Sequence, residues 1–186
     1  MAGRRQLARE RTDQAILEAA AVVLGAGEND EASSMQRIAG AAGVGRATVY
    51  RHFRSREALL TELARAGLAQ AGARLREAEI EERPIAEALA DAVRILCEVG
   101  DRYVAVFRDG VPLDPDLAVR EVRGPIDAVL ERGQRDGLLR QDIPAAAQRE
   151  LLLAVVGRWL RSPRFPDPEE RSRVIVELIL DGLRRR

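Results

Sequence analysis

Between Ala32 and Arg56 the chain carries five arginines and no acidic residue, although thirty of its 186 residues are acidic. On a helix of 3.6 residues per turn, Arg46, Ala47, Tyr50, Arg51 and Arg54 share one face, and Val49 and Phe53 take the opposite one. Such a face recognises a polyanion; it does not make or break bonds. Other chemistries lack their parts. GVGRAT, from Gly43 to Thr48, contains a GxG but neither the preceding strand nor the third glycine of a dinucleotide fingerprint. Cys97 and His52 are the only residues of their types, lie far apart, and have no ligand-spaced companions. No enzyme, cofactor or metal centre is expected. Cys97 falls on an apolar helix face, which fits plain core packing or, alternatively, a sensor.

The elements that must position the basic face read as helix, tight turn, helix. Ser33 with Gln36 three residues on makes a capping box, predicting a helix towards Ala42. Gly43 suits the left-handed residue that closes a helix, and Val44 gives the turn an apolar residue to bury. A second short helix follows. The DNA major groove admits one α-helix, and arginine can hold guanine edges or phosphates there. Arg46 and Ala47 begin the exposed face and are assigned to base readout, with Ala47 able to touch a thymine methyl. Tyr50, Thr48, Arg51 and Arg56 are assigned to the DNA backbone, and Ser34 completes the DNA-binding set.

Ile38 to Leu60, IAGAAGVGRATVYRHFRSREALL, resembles the TetR-type (TetR/AcrR-like) transcriptional regulators. The likeness lies in the Ile-Ala pair, the Ala-Gly-Val turn, the Thr-Val-Tyr-x-His-Phe helix and the following Ser-Arg-Glu-x-Leu-Leu. Arg56 stands where lysine is usual and Gly45 where a small polar residue is common. The resemblance implies a ligand-responsive regulator, a repressor that binds a palindromic operator in double-stranded DNA as a homodimer and is released by a small-molecule effector. It also implies that His52 contacts a phosphate; from the residues alone, a histidine bonded within the head reads equally well.

Zero net charge hides an asymmetry. Residues 1 to 56 hold nine arginines and six acids, and residues 57 to 186 hold twenty-one and twenty-four. The basic excess travels with the reading head. A single cysteine gives no internal disulfide, and no apolar run reaches the length of a signal peptide or membrane span, so a cytoplasmic location and no membrane partner are expected.

Arg4, Arg5, Arg9 and Arg11 precede a first helix predicted from Thr12 to Leu24, forming either a basic arm for the minor groove or a solvated tail. Ser55 caps a long helix reaching towards Ile80. Pro84 opens the next, whose apolar positions run to Gly100, followed by a short helix from Asp101 to Arg108 and a GVPLDP loop. From Asp116 to Asp136 the pattern is helical, but Gly124 and Pro125 predict a kink or break. Residues 145 to 161 and 169 to 184 form two helices with apolar residues on more than one side, which predicts burial against a second copy. Gly157 and Gly182 could let those helices approach closely.

The fold expected is all-α: a three-helix N-terminal helix-turn-helix head over residues 1–56, then a helical effector-binding and dimerisation bundle over 57–186. Tyr103, Phe107 and Trp159 are the aromatic candidates for lining a ligand pocket, though aromatics at helical spacing are more often simply core. The alternative function is a helical protein-interaction adaptor that does not bind DNA; the acid-free recognition face argues against it.

Overall fold

The computed structural model describes residues 2–27, 31–161 and 168–184. Among these the regular elements are all helices, and the one β-type contact is an isolated antiparallel bridge between Leu139 and Arg184. The helices are α1 (Ala2–Gly25), α2 (Glu31–Ala41), α3 (Arg46–His52), α4 (Arg56–Glu77), α5 (Ile85–Arg102), α6 (Val104–Arg108), α7 (Pro115–Ala118), α8 (Gly124–Arg135), α9 (Ala145–Leu160) and α10 (Pro168–Leu183).

They gather into two compact units. The first comprises residues 1–65 together with 102–112; the second comprises 66–101 and 113–186. The predicted boundary after Arg56 is therefore not where the units part. The first unit keeps the opening turns of α4 and recruits α6 from the middle of the sequence. Ile16, Leu24, Met35, Ile38, Val49, Leu59 and Leu63 form its core, and Ala105 and Val106 from α6 are buried in the same cluster. Two polar contacts fasten α6 there. Arg108 donates to the Leu24 carbonyl near the end of α1, which also accepts the Gly27 N–H at 3.1 Å. Arg56 donates to Asp109 at 2.6 Å.

Helix α1 starts ten residues before its predicted cap. AGRRQLARER is rich in good helix formers and has no proline, so nothing stops the helix upstream. Gln6 bonds Glu10 at 2.9 Å, and the Thr12 hydroxyl turns back onto the Ala8 carbonyl at 3.0 Å instead of capping. Arg9 and Arg11 are thus exposed helix residues and not part of an extended arm. The side chains of Arg4 and Arg5 lie outside the described residues.

In the second unit, Leu75, Ile80, Leu89, Ile95, Ile126 and Leu130 are fully buried, and Cys97 joins the core as an apolar residue. The Gly124–Pro125 interruption is real but takes a particular form. Residues Val119–Arg123 widen into a π-turn, and Pro125 falls in the first turn of α8. A proline costs a helix one N–H bond and needs room for its ring; the wider π-turn just upstream gives the ring that room, and the helical path resumes in α8. Facing it, α4 carries Gly72. A Cβ there would sit 2.8 Å from the Cβ of Glu121 and 3.0 Å from its backbone oxygen. Glu121 is buried and accepts from Arg76 at 2.7 Å and Arg120 at 3.0 Å; these two guanidiniums hold its carboxyl below the usual range. After α8, the Gln134 and Gln148 amides both donate to the carbonyls of Arg140 and Ile143, pinning the connection to α9.

Candidate nucleic-acid interface

Helix α2 begins at Glu31, upstream of the predicted Ser33 cap, and ends as the sequence predicts. Gly43 takes φ +67°, its N–H bonds to Gly40 O at 3.2 Å, and the Val44 N–H bonds back to Ala39 O at 3.0 Å. This paired closure satisfies carbonyls left over at the helix end and needs a residue free to adopt left-handed geometry. Gly45 then enters α3 in extended conformation, and its carbonyl accepts from Thr48 N at 2.8 Å.

Helix α3 is only seven residues long, so its orientation rests on what it buries. Val49 and Phe53 anchor it in the core of the first unit, and Tyr50 packs partly against that core. Arg46, Ala47 and Arg51 stay exposed, as does Arg54 just beyond the helix. The Arg46 guanidinium lies 5.5 Å from the centre of the Tyr50 ring, near enough for a cation–π contact that restrains a long side chain before any ligand arrives. Arg51 reaches Thr48 Oγ1 at 3.5 Å, a long contact that leaves its other donors available. The face predicted from periodicity is present.

Three members of the predicted set are buried or paired within the head. Ser34 is fully buried in the head. Arg56 is tied to Asp109, with only 14% of its side chain exposed, which makes it a brace between α4 and the end of α6. His52 has 9% of its side chain exposed, and its Nδ1 meets Asp13 Oδ1 of α1 at 2.5 Å. It is bonded within the head, with Nε2 left over. Clefts of about 500 and 530 Å³ flank this bridge. Arg9 and His52 line both; Arg54 lines the first and Arg51 the second. Asp13 was not singled out from the sequence, and Arg9 was read there only as part of a basic arm or tail. Their only signal there is the i, i+4 spacing on α1, where they lie 4.0 Å apart.

The aromatic trio is split. Tyr103 packs against the core of the first unit, where burial raises its phenol above the ordinary value, and Phe107 belongs to the same unit. Trp159 belongs to the second. They do not form one aromatic lining within the C-terminal unit. No group of three or more potential metal ligands occurs among the described residues.

Known proteins match at both levels. Residues 16–63 fit the family model for bacterial regulatory proteins of the tetR family. The chain is 33% identical over 177 residues to the HTH-type transcriptional repressor LfrR of Mycolicibacterium smegmatis, an alignment covering 95% of this chain and 90% of LfrR. Among solved structures it resembles the TetR-like regulator LfrR from Mycobacterium smegmatis in complex with proflavine, with a TM-score of 0.70, 29% identity, and 94% and 97% of the two chains covered. It also resembles the TetR family regulator PfmR from Thermus thermophilus, with a TM-score of 0.65, 26% identity, and 91% and 99% covered.

Proposed function

Because the chain belongs to the tetR family of bacterial regulatory proteins and is a ligand-responsive, DNA-binding transcriptional regulator, we propose that it represses by laying α3 of each protomer of a homodimer into successive major grooves of an inverted-repeat operator. The observation that carries this reading is the face of exposed Arg46, Ala47 and Arg51 with the half-buried Tyr50, on a helix whose other side is anchored by Val49 and Phe53. In it, Arg46 and Ala47 read base edges, and Tyr50, Thr48 and Arg51 hold the backbone. Arg9 joins them from α1.

The effector is assigned to the second unit. LfrR has been solved with proflavine, which makes that compound the first to test. A ligand can release DNA only if it prefers one arrangement of the heads, and two stretches of chain connect the second unit to the first: α4, unbroken from Arg56 to Glu77, and the α6 segment held by Arg108 and Asp109. Coupling of this kind is typically about 1 to 3 kcal/mol and must be reciprocal. Calorimetry with proflavine, with and without bound operator, tests it. Ligand affinity should fall on DNA by the same factor as operator affinity falls on ligand; equal ligand affinity in both states would show that the site is not an inducer site. Among the described residues no helix is long and apolar enough to cross a membrane.

A further inference from the structure

We propose that Asp13 is a positioning residue which lets His52 hold the DNA backbone only as an imidazolium, so that operator binding takes up one proton. The inference rests on the DNA-binding reading above and on one contact. Nδ1 of His52 lies 2.5 Å from Asp13 Oδ1. A carboxylate oxygen can only accept, so the hydrogen of this bond belongs to Nδ1. In neutral imidazole the other nitrogen is then bare. Nε2 has no hydrogen-bond partner among the described residues and is the one ring atom left for a ligand. A bare Nε2 accepts and would face a phosphate oxygen, which also accepts, so the two repel. Adding a proton at Nε2 turns repulsion into a charge-assisted bond, with Asp13 stabilising the cation from behind.

The surroundings fit a proton-dependent phosphate grip. Asp13 and Arg9 face His52 from α1, Arg51 and Arg54 from the recognition segment, and Glu62 from α4. The three arginines line the two clefts and give them positive charge for a phosphate; Asp13 gives the imidazolium its partner. Histidine changes charge within the physiological range, unlike the arginines beside it. Bound phosphate favours the charged form, so operator affinity falls as pH rises.

His52 is the only histidine in the chain, which makes the test specific. Operator affinity of the full-length protein is measured from pH 6 to 9 at fixed ionic strength, alongside imidazole nitrogen NMR of the complex. The expected result is an affinity that falls towards about tenfold per pH unit at the alkaline end, the limit for one linked proton, with both ring nitrogens protonated in the complex at pH values where the free protein shows one. Asp13→Asn should keep operator binding and flatten the profile, because the amide can donate to Nδ1 and leave the single proton on Nε2. His52→Gln should also flatten it, at lower affinity. Strong binding that is independent of pH in the wild type, or an Asp13→Asn profile as steep as the wild type, would overturn the proposal while leaving the DNA reading intact. No binding to any duplex at any pH would overturn both.

Discussion

Arg46 and Tyr50 divide the work of the reading face in a way that single substitutions can separate. Arg46→Ala should relax base preference at one operator position and cost about 1 to 3 kcal/mol at the preferred base. Tyr50→Phe removes only a hydroxyl and keeps the ring beneath Arg46, so it should weaken all sequences alike. Selections from a random duplex pool with each variant check this; uniform scaling by both would mean that α3 has no such division. Periodicity made this face legible because exposure depends on a residue's own helix. Partners do not. Arg56 is braced by Asp109, 53 residues away, and His52 by Asp13, 39 residues away, and no local pattern announces either pairing. Asp109→Ala would leave the largely buried Arg56 guanidinium without its carboxylate, and should lower head stability by about 1 to 3 kcal/mol. Thermal unfolding followed beside Arg56→Ala and the double variant would show non-additivity if the pair acts as one unit.

At the scale of elements, the helices of the second unit were read from apolar spacing nearly to their observed ends, since each buries a continuous stripe. The misses have physical causes. Thr12 looks like a cap, but a cap signal matters only where the preceding residues resist helix, and those before Thr12 favour it. Gly124 and Pro125 predicted a kink or break; the irregularity is there, but its form, a π-turn packed against α4, is not written in the local sequence. Gly72 is where that packing can be tested. Gly72→Ala would drive a methyl into Glu121 and its backbone and should destabilise by about 1 to 3 kcal/mol. Gly40→Ala is the control: nothing lies within 4 Å of the added carbon in helix α2, so it should be neutral or stabilise by up to about 1 kcal/mol. Equal melting temperatures for the two variants would contradict the close approach of α4 to the π-turn.

At the scale of the molecule, the apolar surface of α9 and α10 is half used within one chain. Leu152, Val156, Leu160 and Ile175 are buried, while Leu151 stays 59% and Leu178 61% exposed. Gly157 and Gly182 have nothing within 4 Å of where a side chain would begin, so neither is required by packing inside the protomer. Pairing these helices with a second copy would cover the exposed leucines and supply the two-fold symmetry that an inverted repeat requires. Leu178→Glu should therefore give monomers with a folded head, seen by light scattering and circular dichroism; a wild type that is monomeric at micromolar concentration would reject the pairing. The extra surface was legible in the sequence as apolar residues on more than one helix side. The division into units was not, because residues 102–112 join the head through contacts with α1 and α4 that sequence order conceals.

The central claim, that α3 reads duplex DNA for a two-fold regulator, is tested most directly by selecting bound sequences from a random duplex pool and titrating the winner with salt. The expected product is two inverted half-sites whose centres lie about 10 base pairs, roughly 34 to 36 Å, apart or at a multiple of that spacing. Its affinity should fall linearly with salt on logarithmic axes, by about 0.9 in slope for each phosphate neutralised. A pool that shows no enrichment at low salt, or a selected site without inverted symmetry, would contradict the account.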